Sequence, residues 1–172
     1  MRKTLKAIIF FIISLLILPT ISLAGEFKVT RVYDGDTILV VRDHRVIRKV
    51  RLVGIDAPET SQKKYQPGQP YSQQAKKYLS GLVLNRTVSI IGYKLDVYNI
   101  VLGVVFWEGI NINLEMVRSG LAEVYRGNST KGLDLEPYRK AEKEAKAAMR
   151  GMWSLGDRYI SPKEWRRTQR GR

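Results

Sequence analysis

Strand-like segments separated by polar turns dominate the chain between residues 27 and 106. They are rich in β-branched and aromatic residues, which favour the pleated conformation of a β-strand. Asp34-Gly35 and Asp43-His44 are turn signals between the first three segments. The predicted strands cover residues 27–33, 37–41, 46–55, 88–94 and 100–106. This pattern places the larger part of the chain in a β-rich fold.

Helical patterns account for most of the remaining chain. A first helix is predicted over residues 70–84, with Pro70 at a favourable early position. A second covers 114–119 with Asn113 as its N-cap, and a third covers 137–149. The predicted fold class is therefore mainly β (β+α), a small closed barrel of five strands with about three helices packed on one side.

The first 24 residues have the three-part plan of a secretory signal. A short basic start precedes an apolar run over residues 7–18, and Pro19 interrupts that run. Small residues before Gly25 fit a signal peptidase, so we expect cleavage after Ala24 and export of the rest. An uncleaved membrane anchor is the alternative, although the apolar run is short for a bilayer span.

Charge and residue usage restrict the chemistry that the chain can perform. The net charge is +14, which favours polyanionic partners such as nucleic acid, anionic lipid or cell wall. No cysteine is present, so disulfides and thiolate catalysis are excluded. His44 is the one histidine, so a histidine-rich zinc site is not expected. An enzyme with this composition must use carboxylates and arginines. No protein partner is indicated, and we expect a monomer.

Two short acidic motifs, residues 34–37 (DGDT) and 51–59 (RLVGIDAPE), are the candidate site. Asp34 is explained by the turn that Asp-Gly favours. Asp36 is not needed by that turn, and it stands at a strand start where β-propensity disfavours Asp. Asp36 is therefore the better candidate for a metal ligand. Hard oxygen ligands suit a divalent cation.

The second motif adds an arginine and two further carboxylates. Arg51 lies inside a β-rich run, where a charged side chain is costly unless it has a partner or faces a pocket. A cation held by Asp36 and Asp56 would leave Glu59 close by, able to take a proton from an attacking water. Arg51 could then hold two phosphate oxygens. A surface cluster of salt bridges on a basic protein explains the same spacing.

Both motifs, in this order, resemble those of the staphylococcal nuclease (thermonuclease) family. The similarity continues through residues 111–122 and ends near Gly151-Met152-Trp153, so it covers about residues 27–154. The resemblance implies a five-stranded OB-fold barrel with three helices. It also implies a calcium-dependent nuclease that cleaves DNA and RNA between phosphorus and the 5′ oxygen. On this basis we divide the chain into a signal peptide (1–24), a nuclease-like domain (25–156) and a mobile basic tail (157–172).

The resemblance also assigns roles to single residues. Asp36 and Asp56 match the calcium carboxylates, and Ala57 matches a position that binds calcium through its backbone carbonyl. Arg51 matches the first catalytic arginine, and Glu59 matches the general base. Tyr98 matches a residue that lines the nucleotide pocket, with barrel packing as the alternative.

One position departs from the family pattern. Members of the family carry a second catalytic arginine just before the fifth strand, where this chain has Ile100. Loss of one preorganised donor typically costs about 3 kcal/mol of transition-state stabilisation. Three explanations remain open. The protein is a non-catalytic binder of nucleic acid or another polyanion, its substrate needs only one arginine, or another cation replaces the missing one. The candidate replacements are Lys94, Arg126, Lys63 and Lys64.

Overall fold

The computed structural model describes residues 25–42, 45–61, 67–96, 98, 100–128 and 130–170, without the side chains of residues 45–47 and 170. The predicted signal peptide, the turn residue His44 and the loop lysines Lys63 and Lys64 lie outside the described residues. Within the described ranges, no helix is both long and apolar enough to cross a membrane.

In the described part of the chain, five strands form a closed barrel, a short sixth strand extends it, and two further short strands pair with each other. The barrel order is β3-β2-β1-β5-β6, and parallel pairing of β3 with β6 closes the ring at Val50↔Val101. β7 pairs with the outer end of β6, whereas β4 and β8 form a separate two-stranded sheet. The strands are β1 Glu26–Val32, β2 Thr37–Arg42, β3 Arg45–Leu52, β4 Ile55–Asp56, β5 Thr87–Leu95, β6 Val101–Trp107, β7 Ile110–Asn111 and β8 Glu123–Val124. The predicted five-stranded OB-fold barrel is thus confirmed.

Alternation of apolar and polar residues explains why these segments form the barrel wall. In β1, Phe27, Val29 and Val32 are buried while the residues between them face outward. The step from Val29 to Val32 is three residues because the pairing with β2 is irregular between Val29 and Arg31. Ile38 and Val40 of β2 continue the same buried layer. Burial of this layer supplies the main apolar stabilisation of the barrel.

The described helices pack against the barrel or extend from it. α2 and α3 bury Met116, Val117, Tyr138 and Ala141 against the barrel core. The helices are α1 Ser72–Val83, α2 Ile112–Arg118, α3 Glu136–Ala147, a 3₁₀ helix Gly151–Arg158 that is interrupted at Gly156, and α4 Pro162–Arg170. The first three match the predicted helices. Residues 162–170, which the sequence pattern assigns to a mobile basic tail, form the helix α4.

α4 is held in place by several independent contacts. Ser161 and Glu164 cap each other, since Ser161 donates its N–H and hydroxyl to Glu164 Oε2 and Glu164 donates its N–H to Ser161 Oγ. Gln69 donates from Nε2 to the Ile160 carbonyl at 2.7 Å. Trp165 lines a small pocket together with Met152. The cap stabilises the first turn of α4, and the Gln69 contact holds the segment just before it, so both define where the helix begins.

Asn113 corrects one prediction of the sequence analysis. The N-cap of α2 is Asn111, whose side chain accepts from the Leu114 N–H at 3.0 Å. Asn113 is instead fully buried, where it accepts from the Val105 N–H at 3.0 Å. Its amide donates to the carbonyls of Val53 and Gly103 at 2.9 and 3.0 Å. One side chain therefore satisfies three backbone groups where β3, β6 and α2 meet.

We expect Asn113→Ala to lower the free energy of unfolding by about 3 kcal/mol, because buried backbone groups lose their partners. Asn128→Ala, in an exposed loop, is the matched control and should change stability by less than about 0.5 kcal/mol. Urea unfolding followed by tryptophan fluorescence measures both. Equal stability of the two variants would contradict this role for Asn113.

Candidate functional site

The two acidic motifs meet at the end of the barrel where β2 begins and β3 ends. Thr37 pairs with Arg51 across these strands, and the Leu52 N–H donates to the Asp36 carbonyl at 2.8 Å. Gly54 then turns the chain with φ 83°, which leads directly into β4 and Asp56. The pairing register of β2 and β3 and this one turn therefore bring Asp36, Arg51 and Asp56 together.

Arg51 is the link between the two carboxylates. Its Nη2 lies 3.2 Å from Asp36 Oδ2 and 3.2 Å from Asp56 Oδ1. Asp36 and Asp56 are 4% and 1% exposed, whereas the Arg51 side chain is 37% exposed and borders a groove. The negative charge of Asp36 is the largest of the influences that raise the pKa of Arg51. The guanidinium therefore stays charged, with one side against the carboxylates and the other toward solvent.

Asp36 lies in a tightly packed turn. Its backbone N–H donates to Asp34 Oδ1 at 3.0 Å, which is the turn contact expected of Asp34. Its side chain accepts from Thr37 Oγ1 at 2.7 Å and from the Ala57 N–H at 3.3 Å. Burial outweighs these favourable contacts and raises the pKa of Asp36 to about 6. The site therefore holds a carboxylate whose charge is incompletely compensated.

Glu59 follows β4 and is held by its backbone. Its N–H donates to Gln69 Oε1 at 3.0 Å, and its carbonyl accepts from the Gln69 N–H at 2.9 Å. The side chain is half-buried, and burial raises the pKa of Glu59 while Arg166 opposes that rise. A carboxylate with a raised pKa is a stronger base than an exposed one.

Arg166 of α4 is the site residue that the sequence analysis missed. Its Nη1 and Nη2 donate to Asp56 Oδ1 and Oδ2 at 2.9 and 2.7 Å, a bidentate pair. Nη1 also donates to Glu59 Oε1 at 2.5 Å. The sequence does contain a local signal, since Ser161-Pro162-Lys163-Glu164 is a capping box with proline at the first helical position. That signal predicts a helix but not where it docks.

Of the other cations considered above, Lys63 and Lys64 lie outside the described residues, and Arg126 and Lys94 have other surroundings. Arg126 forms ion pairs with Glu123 and with Glu142, so its guanidinium faces these acids. Glu123 is buried, faces Asp56 across the β4–β8 pair and accepts from the Tyr159 hydroxyl at 2.5 Å. Lys94 is exposed and lines the groove beyond Arg51.

A groove of about 630 Å³ opens beside the carboxylates. Arg51 and Arg166 lie on its wall, together with Lys94, Tyr125 and Leu133. Tyr98 is 80% exposed and does not pack in the barrel. Ile100 is half-buried, and its N–H donates to Asp96 Oδ1 at 2.9 Å.

The donor chemistry at Asp36 and Asp56 fits a hard cation. A single nitrogen of Arg51 already contacts one oxygen of each carboxylate, so both can face one positive group. Ala57 is adjacent, although the contact that it makes with Asp36 uses its N–H. Among the described residues, no three His, Cys, Asp or Glu side chains are grouped closely enough to hold a metal by themselves. A bound ion would therefore need backbone, water or substrate oxygens as well.

Comparison with known proteins places the chain in a family. The family described as Staphylococcal nuclease homologue matches residues 49–155. The chain belongs to this family. A probable endonuclease LCL3 of Clavispora lusitaniae is 40% identical over 124 residues, which cover 69% of this chain and 53% of that protein.

Two bacterial relatives match over a larger share of their length. An uncharacterized endonuclease of Haemophilus influenzae is 36% identical over 143 residues, covering 83% of this chain and 74% of that protein. One of Escherichia coli is 36% identical over 141 residues, covering 81% of this chain and 83% of that protein. By contrast, the chain spans about half the length of the probable endonucleases LCL3 of Clavispora lusitaniae and Komagataella phaffii.

The raised pKa of Asp36 predicts a pH-dependent stability. A carboxyl whose pKa rises from 3.8 to about 6 on folding favours the fold when protonated, and this contribution is lost as pH rises through 6. We therefore expect Asp36→Asn to stabilise the chelator-treated protein by about 1 to 3 kcal/mol at pH 8 and to change it little below pH 4. Urea unfolding at both pH values measures this. A difference that is independent of pH would contradict it.

Proposed function

We propose that the protein is a calcium-dependent nuclease that hydrolyses phosphodiester bonds in DNA or RNA and acts as a monomer. The observation that carries the proposal is Arg51, which bridges two buried carboxylates beside Glu59 and borders an open groove. Relatives named as endonucleases support the reaction class. The net charge of +14 supports a polyanionic substrate.

Each site residue has a role in this proposal. Asp36 and Asp56, with the Ala57 carbonyl, would hold Ca²⁺, which when bound would polarise the phosphoryl group and neutralise its charge. Arg51 would donate two hydrogen bonds to non-bridging phosphate oxygens and stabilise the charge that grows on them. The exposed ring of Tyr98 offers a surface on which a base can stack.

Glu59 is the general base of the proposed reaction. Its carboxylate takes a proton from water as the water oxygen forms a bond to phosphorus. The bond between phosphorus and the 5′ oxygen breaks, and that oxygen takes a proton from solvent. Glu59 must first exchange its hydrogen bond with Arg166 for one with water, because a carboxylate paired with a guanidinium is a weaker base.

The first test is hydrolysis of single-stranded DNA with calcium or with a calcium chelator. We expect Glu59→Ala to lower kcat by about a hundredfold or more, since a positioned base contributes at least that much. Glu144→Ala is the matched control, because Glu144 is exposed in the last turn of α3 and its replacement removes the same carboxylate group. Chelation should abolish the activity of the wild type.

Two outcomes would refute the nuclease assignment. Equal rates for wild type and Glu59→Ala would remove Glu59 as the base. Salt-sensitive DNA binding with no calcium-dependent turnover would favour the alternative, a non-catalytic OB-fold protein that binds nucleic acid or another polyanion. Ile100, at the position of the family's second arginine, is the observation that favours this alternative.

We also propose that the protein is exported after cleavage near Ala24, either outside the cell or into a periplasm. The basic start and short apolar run of residues 1–18 support this proposal. Mass spectrometry of the exported protein should give a chain that begins at Gly25. A full-length chain that stays with the membrane fraction would instead indicate an uncleaved anchor.

A further inference from the structure

Arg166 lies on α4, and its guanidinium contacts Asp56 of the acidic site. α4 begins at a reciprocal cap between Ser161 and Glu164, and Trp165 lines a small cavity together with Met152. These contacts leave Arg166 directed at Asp56 with 29% of its side chain exposed. Docking of α4 and placement of this guanidinium therefore depend on each other.

The two guanidinium groups converge on one atom. Arg166 Nη1 lies 2.9 Å from Asp56 Oδ1, and Arg51 Nη2 lies 3.2 Å from the same oxygen. Both side chains also line the same groove. A ligand in the groove therefore meets both arginines.

Formal charges show what Arg166 adds. Asp36, Asp56 and Glu59 carry three negative charges, and Arg51 compensates one of them. A divalent cation would bring the net charge of these four side chains to zero, so they would have no net attraction for a phosphodiester. Arg166 brings the loaded site to one positive charge, which matches the single negative charge of a phosphodiester.

Neighbouring acids increase the need for a second cation at the site. Glu123 and Glu142 pair with Arg126 and Lys146, but Asp34 beside Asp36 and Asp96 on the groove wall add further negative charge. Ile100 contributes no cation, since its side chain is aliphatic. Arg166 is thus the described side chain, besides Arg51, that brings a positive charge into contact with Asp56.

We propose that Arg166 is a phosphate-binding residue of the active site, supplied by α4 in place of a cation at Ile100. It rests on Asp56 and Glu59 in the free protein and turns to the phosphate oxygens when cation and substrate bind. This inference rests on the proposed nuclease function. The same exchange frees Glu59 to accept the proton of water.

The test compares Arg166→Ala with Arg167→Ala, which removes the same charge from the exposed face of the same helix. With calcium and single-stranded DNA, Arg166→Ala should lower kcat by about a hundredfold or more, as for loss of one preorganised donor. Arg167→Ala should change it by less than about threefold, the size expected for an exposed charge. Urea unfolding of both variants checks that the fold is intact.

A second measurement does not depend on turnover. Binding of a hydrolysis-resistant phosphorothioate oligonucleotide with calcium should weaken about tenfold more in Arg166→Ala than in Arg167→Ala. If Arg166→Ala unfolds because Asp56 loses its bidentate partner, Arg166→Lys is measured in its place. Lysine keeps the positive charge but cannot donate two parallel hydrogen bonds. DNA affinity should therefore be largely retained while kcat falls about tenfold.

The outcomes separate this inference from the proposed function. Equal effects of Arg166→Ala and Arg167→Ala on rate and binding would overturn the inference. A faster Arg166→Ala would also overturn it and would identify α4 as a plug over the carboxylates. A wild type without hydrolytic activity would refute the nuclease proposal, whereas the oligonucleotide measurement would still decide whether Arg166 binds phosphate.

Discussion

The contact of the Arg51 guanidinium with Asp36 and Asp56 is the interaction on which the site depends. Two carboxylates that are almost fully buried would repel each other and lose hydration unless a cation lay between them. Arg51 supplies that cation from β3, directly opposite the start of β2. The barrel can therefore carry a cluster of acids at its rim without losing the close packing beneath it. In the same arrangement, the two carboxylates face one positive group, which suits a divalent cation as well.

Much of this architecture could be predicted from local patterns. The β-branched runs separated by polar turns predict the barrel strands, and the predicted helix over residues 70–84 corresponds to α1, Ser72–Val83. The distinction between Asp34 and Asp36 also follows from local chemistry. Asp34 accepts the Asp36 N–H as a turn residue does, and Asp36 carries the buried carboxylate. These features depend on neighbours in sequence, which is why sequence reasoning finds them.

Other features depend on contacts that no local pattern contains. Arg166 meets Asp56 across 110 residues of sequence, and nothing in a capping box specifies that partner. The role of Asn113 could not be predicted either, because an asparagine near a helix start is typical of an N-cap. Its actual partners are set by the docking of α2 against β3 and β6. An asparagine can cap a helix, as Asn111 does, or bind buried backbone groups, as Asn113 does. Tertiary packing determines which of the two roles it has.

The closure of the barrel has a consequence for how the chain acquires its site. Residues 50–52 of β3 pair in parallel with residues 101–103 of β6, so the ring closes only after a long intervening segment is ordered. Non-local pairing of this kind raises contact order and slows folding relative to helical proteins of similar size. Arg51 belongs to that closing segment and pairs with Leu102. The pairing of β2 with β3 is local in sequence and brings Asp36 next to Arg51 without that closure, whereas Leu102 and its part of the groove wall join only when the ring closes. The groove is thus a later product of folding than the acidic cluster beside it.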